Sequence, residues 1–420
     1  MKSNPQQNPD KSRNVLVLNC GSSSLKYRMI RMPGEVELAA GEAQRIGPKT
    51  AEPARILHKQ DGKEETIFAE MPSHAAAFER ILPLLESPSC GGIHAIGHRV
   101  VHGAGFFRSH TLIGSSEIAA LRKTLAIAPL HNPPAVALVE ACHHLYPELP
   151  QAAVFDTVYH ASIPWRASRY ALPRKLARRL SLRKYGFHGT SHHYVAQEAA
   201  KWLGRPLATL SAVSCHLGSG GASLCAIIQG ESVDNTMGYS PLPGLVMSTR
   251  SGDIDPALAL QITALGPQGF QGLETLLNKK SGVLGLSGTS ADIRDILAAV
   301  NQGGPRDDQQ ALTLQVYLWR LRKLLGSYLA VTGRADAVIF TDTIGETVPE
   351  VRWAACAGLE TFGLALDPVK NSEARNLPCE ISSENSRVKV LVIATNEELA
   401  IARVIHKLLD KREIKKAVSA

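Results

Sequence analysis

The sequence predicts an α/β protein made of two duplicated domains. Three observations lead there: strand-like and helix-like segments alternate along most of the chain; an opening of strand, Gly/Ser turn, strand and hairpin occurs twice; and 420 residues exceed what one ordinary core holds. Apolar residues at 44% and charged residues at 20% suit a chain that buries a sizeable core.

The elements follow in order. The first thirteen residues, MKSNPQQNPDKSR, are polar and contain proline but no apolar stretch of a signal peptide, so 1–13 reads as a disordered tail on a cytoplasmic protein. A strand over 15–19 then runs into Gly21-Ser22-Ser23-Ser24, and a second strand starts at Leu25. Such a turn can aim backbone amides and hydroxyls at an anion, which makes it a candidate phosphate site. ELAAGEAQRI and ARILHKQDGKEETIFAE continue as strands, with Asp61-Gly62 as a hairpin turn, because both central residues of that turn type need positive φ. Apolar spacing predicts helices over 75–86, 117–127 and 134–145, alternating with the strands IHAIGHRVVHG and QAAVFDTVYH.

In the second half, LSAVSCHLGSGGASLCAIIQGESVD repeats the order strand, Gly/Ser turn, strand, turn at Gln229-Gly230, strand. Identity between the two copies is slight, so the repeat rests on the order of elements. A helix over 309–332, the strand ADAVIFTDT and a helix over 397–411 complete the chain.

Composition excludes several classes of function. No apolar run approaches the roughly 20 residues that cross a bilayer, so no membrane partner is expected. The net charge of +8 suits an anionic substrate, whereas the basic stretches LPRKLARRLSLRK and KLLDKREIKK lack interleaved aromatics and read as solvated helix faces, with no nucleic-acid partner. Seven cysteines, odd in number and never spaced CxxC, argue for reduced thiols over a disulfide frame or a zinc knuckle.

Candidate chemistry lies at the ends of apolar strands. Arg99 in GHRVVHGAG and Asp156 in FDTVYH stand among apolar residues, and Arg250, Asp253 and Asp255 in MSTRSGDIDP precede a helix-starting proline. Charges in such places need partners, whether in a structural ion pair or as a clamp on a transferring phosphoryl group with a carboxylate for magnesium. His188 and His192 in YGFHGTSHHY leave three readings open: a metal-binding helix face, a hydrogen bond from His188 to a phosphoryl group, or a histidine satisfied in a helix cap made by Ser191. Cys20 and Cys215 beside the turns have no local histidine partner and read as packing residues rather than nucleophiles.

Taken in order, NCGSSSLKY, GHRVVHG, APLHNPP, FDTVYH, YGFHGTSH, STRSGDIDP, LNKKSGVLGLSG, SADIRD and TNEELAIAR resemble the acetokinase family of acetate and propionate kinases. That family lies in the superfamily of acetate and sugar kinases, heat-shock chaperones and actin, and the resemblance covers nearly the whole chain. It implies a duplicated ribonuclease H-like (actin-like ATPase) fold with a central cleft. The implied N-terminal domain is 14–160 plus 386–420, closed by the C-terminal helix; the second, 161–385, carries the nucleotide side and the dimer interface. Also implied are a homodimer, Mg2+ or Mn2+, ATP as co-substrate, and reversible phosphoryl transfer to acetate giving acetyl phosphate.

The resemblance carries roles to single residues. Asn19, Ser22, Ser24 and Lys26 match the first phosphate loop, and Arg99 and Arg250 match the pair that holds the carboxylate and the transferring phosphoryl. His131 and His188 match histidines lining that site, with His188 and Arg250 steadying the transition state. Asn19, Asp156 and Glu397 match the metal side, and Val101, Leu130, Phe187 and Pro241 the pocket for the methyl group. His216, Ser219, Gly220, Asp292, Arg294, Thr343, Gly345 and Thr347 fall on the nucleotide side. A loose, metaphosphate-like transition state asks mainly for positioned cations, and an already ionised carboxylate needs no general base.

Three departures from the family pattern lie on the donor side. The family's HLGNG reads HLGSGG with Ser219 in place of asparagine, its GTR reads Ser248-Thr249-Arg250, and its adenosine segment, close to AGIGEN, reads DTIGET with Thr343 for glycine and Thr347 for asparagine. A lost neutral hydrogen bond costs about 0.5–1.5 kcal/mol and a β-branched residue in a left-handed turn about 1–2 kcal/mol more, so a donor affinity weakened roughly ten- to a hundredfold, or a changed donor, is expected. The alternatives are a propionate or other short-chain carboxylate kinase, a catalytically weakened relative that binds nucleotide or acyl phosphate, and a chaperone- or actin-like ATPase. Arg99, Arg250 and the apolar pocket argue against the last.

Overall fold

The structure, a computed structural model, describes residues 12–48, 52–88, 90–266, 269–303 and 308–419, with side chains as far as 414. The tail expected over 1–13 lies outside the described residues as far as residue 11, and Arg13 already belongs to the first strand. Two compact units result: one runs to Val158 and resumes at Asn396, the other is Tyr159–Thr395.

The first unit holds β1 (Arg13–Cys20), β2 (Ser24–Met32), β3 (Val36–Gln44), β4 (Arg55–Gln60), β5 (Lys63–Phe68), β6 (Ala95–Val100), β7 (Thr111–Leu112) and β8 (Gln151–Phe155) in one sheet of order β5-β4-β3-β2-β1-β6-β8-β7. β1, β6 and β8 run parallel, and β2 to β5 continue as antiparallel hairpins. The turn at Asp61 and Gly62 has φ of 51° and 75°, as the Asp-Gly pair requires.

Both faces of this sheet are covered, so its central strands read as continuous apolar runs. Phe78, Ile81 and Leu85 of the helix His74–Leu85 and Leu138 of the helix Asn132–Leu145 pack on Leu16, Leu18, Met29 and Ile96. On the other face, Ile401, Ala402, Ile405 and Leu409 of the C-terminal helix Glu397–Ser419 pack on Val15, Val17, Ala95, Ala152 and Val154. Each of the larger apolar side chains, fully buried, contributes about 1.5–3 kcal/mol. Gly97 lets this helix approach, since a Cβ there would overlap Ile405. The helix runs past the expected end at 411, and Arg13 ties it to the first strand through Asp410 (2.7 Å) and Glu413 (2.5 Å).

The second unit holds β9 (Ala212–Leu217), β10 (Ala222–Ile228), β11 (Glu231–Asn235), β12 (Ala337–Thr341), β13 (Cys379–Glu380) and β14 (Lys389–Val392), in the order β11-β10-β9-β12-β14-β13. Its first five positions repeat β3-β2-β1-β6-β8 of the first unit: three parallel strands extended on one side by two more, each antiparallel to its neighbour. Topology therefore shows the duplication that identity hides. Val195, Ala196 and Ala199 of the helix Gly189–Trp202 cover Ala212, Ile339 and Leu391.

One boundary differs from expectation. Residues 386–395, expected in the first domain, lie in the second unit because β14 pairs in parallel with β12; Tyr159 and His160 lie there too. Among the described residues no helix is long and apolar enough to cross a membrane. The basic segment 172–184 forms only the short helix Arg174–Arg179, whose arginines and Lys175 are exposed.

Candidate functional site

Polar residues collect in each unit at the C-terminal ends of the parallel strands, where open α/β sheets bind ligands. In the first unit the centre is Arg99, next to last in β6. Nε and Nη2 donate to the two oxygens of Asp156 (3.0 and 2.7 Å), just beyond β8; Nη1 donates to Asn19 Oδ1 (3.2 Å) on β1 and lies 3.2 Å from Glu397, which starts the C-terminal helix. Burial alone would lower the guanidinium's pKa, but Asp156 and Glu397 carry it above its ordinary range. Arg99 is thus a permanent cation clamped by two carboxylates and an amide.

Oxygen is the only donor type in this group. Two carboxylates and an amide around one guanidinium leave a local excess of negative charge, which fits a hard cation such as Mg2+, bound through one or two carboxylates, water and substrate phosphate. Among the described residues no group of three or more His, Cys, Asp or Glu could cage a metal by itself, and Mg2+ does not require one.

The turn 21–24 joins β1 to β2 beside this group. Gly21 N–H donates to the Ser24 carbonyl (2.9 Å), and His74 Nε2 donates to the Gly21 carbonyl (2.9 Å). Ser22 and Lys26 are exposed and Ser24 is half-buried. His131 and Val101 are half-buried and Leu130 is exposed; His131 stands at the N-terminal boundary of the helix Asn132–Leu145. Burial pushes the Cys20 thiol up to about 12, which removes it as a nucleophile.

In the second unit the equivalent turn, 218–221, joins β9 to β10 and closes through Gly218 N–H to the Gly221 carbonyl (3.0 Å). Arg250 lies against it: Nη2 donates to the Gly220 carbonyl (3.1 Å) and Nη1 to the Pro241 carbonyl (2.7 Å). Both partners are neutral, and burial holds this guanidinium down to about 10. A Cβ on Gly221 would lie 2.5 Å from Arg250 Nη2 and 3.6 Å from the His188 ring, so the absent side chain lets both approach one point.

The histidines form one hydrogen-bonded chain. His188 Nδ1 lies 2.9 Å from Ser223 Oγ, which is 2.9 Å from His192 Nε2, and His192 Nδ1 reaches Ser214 Oγ at 2.9 Å. Burial, helped by His160 and His216, drives the His192 pKa well below its ordinary value, so that ring is neutral and its nitrogens are spent on serines rather than a metal. His188 itself takes the left-handed N-terminal boundary position of the helix Gly189–Trp202, φ 57°. Ser191 does not cap that helix; its hydroxyl bridges His216 Nδ1 and Thr395 Oγ1, each at 2.9 Å. The His188 and His216 rings lie close, with centres 4.1 Å apart and planes tilted by 30°. Neither Ser214 nor Ser223 carries a sequence signal beyond its place on a strand.

Other expected nucleotide-side residues fall in the same unit. Ser219, Asp292, Met247, Tyr317 and Ile344 line one small cleft. Asp292 caps the helix Ile293–Asn301 and is gripped by Arg294 (2.5 Å), so these two neutralise each other. DTIGET is not an open glycine loop: it folds as the short helix Asp342–Thr347, with Gly345 buried and Arg352 donating to the Gly345 and Glu346 carbonyls (both 2.9 Å). The left-handed residue is Asp342 (φ 63°), so Thr343 escapes the penalty expected for it. Thr347 is exposed and its hydroxyl is spent on the Thr343 carbonyl (2.6 Å). Phe187 and Pro241 are buried.

The model of the Acetokinase family matches residues 14–403. The acetate kinase of Dictyoglomus turgidum is 43% identical over 411 residues, 96% of this chain and 100% of that protein. That of Desulfitobacterium hafniense is 46% identical over 396 residues, 92% and 97% respectively. Among solved structures, Porphyromonas gingivalis acetate kinase superposes with a TM-score of 0.87 at 36% identity, covering 94% of this chain and 100% of the other. A propionate kinase from Francisella tularensis gives 0.86 at 37%, covering 93% and 98%.

Proposed function

This chain belongs to the acetokinase family, whose members have the actin-like fold and are phosphotransferases with a carboxylate acceptor, and on that premise we propose that it catalyses reversible, Mg2+-dependent transfer of a phosphoryl group from ATP to acetate, giving acetyl phosphate. The observation that carries the reading is the contrast between the two arginines. Arg250 faces only carbonyls, which makes it the cation with charge to offer an incoming phosphoryl group. Arg99, held by Asp156 and Glu397, is fixed in advance as a donor to the acceptor carboxylate.

His188, oriented by Ser223, would donate a hydrogen bond where charge builds up on the equatorial oxygens. Asn19, Asp156 and Glu397 would hold Mg2+, with Mn2+ as a substitute; bound there, the ion would neutralise donor phosphate charge. Ser22, Ser24 and Lys26 would serve the donor phosphates, and Ser219, Gly220 and Asp292 the nucleotide. Val101, Leu130, Phe187 and Pro241 would receive the methyl group. Propionate is the second reading, favoured by the propionate kinase's equal likeness; one methylene is worth only about 1–3 kcal/mol.

A homodimer fits the second unit's surface. The helix Pro256–Leu265, PALALQITAL, buries none of its residues, and Leu260, Phe270 and Trp319 are 73%, 83% and 70% exposed. Seven free cysteines fit a cytoplasmic location.

The test is a donor-by-acceptor grid with hydroxylamine trapping of acyl phosphate, on the wild type and Arg250→Ala. Acetyl phosphate from ATP and acetate, lost in the variant, is the expected result. No acyl phosphate with any donor would overturn the reading; light scattering at the mass of one chain would remove the dimer.

A further inference from the structure

The carboxylate of Asp342 has no part in the transfer proposed above. It stands at the C-terminal end of β12 with φ of 63°, a region that few non-glycine residues other than asparagine and aspartate enter readily. Hydrogen bonds fix it there. Oδ1 accepts from the Thr343 N–H (2.6 Å) and hydroxyl (3.0 Å), Oδ2 accepts from His216 Nε2 (3.0 Å), and the Asp342 N–H donates to Glu346 Oε1 (2.8 Å).

Its position relative to the 218–221 turn matters more. A Cβ built on Gly218 would lie 2.5 Å from Asp342 Oδ2, so the carboxylate rests on the first residue of the turn with no side chain between them. At Gly220 the same turn meets Arg250. One end therefore meets a cation with neutral partners, the other a fixed anion. His216 is committed as well: with Nε2 donating to Asp342 and Nδ1 on Ser191, neither ring nitrogen is left for a phosphate oxygen.

We propose that Asp342 is a specificity-determining residue on the donor side, which weakens binding of a nucleoside triphosphate by setting a negative charge against the Gly218 turn and by holding His216. The inference rests on the phosphoryl-transfer reading of that turn. A polyphosphate chain brought to the turn meets a like charge, and like charges placed together oppose association. Of the three donor-side departures in the sequence, DTIGET thus acts through its first residue rather than through its threonines.

Two variants of the full-length protein separate charge from shape. Asp342→Asn keeps the size, the acceptor for Thr343 and a tolerance of left-handed backbone while removing the charge; Asp342→Gly removes the side chain and releases His216. Measured are the KM for ATP, the KM for acetate, the calorimetric Kd for ATP and the thermal midpoint, at low and high salt. The expected result is a KM and Kd for ATP about tenfold or more lower in both variants, an acetate KM within about twofold, and a gain that shrinks as salt screens the charge. A merely structural aspartate would not give a gain that salt erases. Unchanged or weaker ATP binding in folded variants overturns the inference, as does failure of both variants to fold. If no protein forms acyl phosphate, the proposed function falls, and the ATP Kd still decides the role of Asp342.

Discussion

Arg99 lies in a strand of the first unit and Arg250 against the β9–β10 turn of the second, whose sheet repeats the first over five positions, yet the two are held differently. Arg99 has a bidentate carboxylate, a second carboxylate and an amide; Arg250 has two backbone carbonyls. The first arrangement compensates charge within the fold and fixes direction. The second leaves charge to be compensated by a ligand. On the proposed function, a guanidinium paired in advance serves structure and reaction together, whereas one supported only by dipoles serves the reaction alone.

The sharpest way to break that contrast is Arg99→Ala, which should cost both stability and rate. Asp156 is 1% exposed and would lose its guanidinium, for a loss of about 3 kcal/mol or more in urea unfolding, with acyl phosphate formation falling about 10³-fold. Arg250→Ala should fall as far in kcat/KM, yet unfold within about 1 kcal/mol of the wild type, because only carbonyls lose a partner. Equal destabilisation by the two substitutions would erase the distinction.

Each unit also buries a neutral histidine, His98 in the first and His192 in the second. Burial, only partly offset by Gln151, lowers His98 from 6.5 to about 4. The unfolded chain takes up that proton below pH 6.5 while the folded one resists, so stability is full above pH 6.5, declines towards pH 4 and then levels, by about 3 kcal/mol for His98. Unfolding curves across that range should flatten in His98→Asn; an unchanged slope would mean that another group governs acid sensitivity. The smallest expected effect is Ser223→Ala, about tenfold in kcat with KM values within about threefold, because the hydroxyl is fully buried and reaches the site only through His188. An unaltered kcat would release His188 from that support.

The hairpins are legible in the sequence because Asp61-Gly62 and Gln229-Gly230 name the backbone they need, with positive φ at all four positions. The need for partners at Arg99 and Asp156 is also legible, since charges inside apolar strands stay only when paired. Their direct contact follows from register: Arg99 lies opposite Val154 in the parallel pair β6 and β8, which brings Asp156 to the guanidinium. Glu397 is not legible as a partner, because the helix carrying it comes after an entire second unit. Nor is the allegiance of β14: the four residues KVLV suit either sheet, and only pairing with β12 decides. The left-handed residue of DTIGET escapes too, since propensity points to the glycine position, whereas the bonds of Asp342 to Glu346 nearby and to His216 on β9 hold Asp342 there instead.

The helix Glu397–Ser419 has a consequence for how the molecule is made. The first sheet leaves the ribosome with one face bare and must wait, while every strand of the second unit is synthesised, for the layer that covers Val15, Val17 and Val154. A nascent chain stalled before residue 396 would hold a greasy β-surface open to chaperones, so ordered assembly of this protein ends, rather than begins, at its first strand.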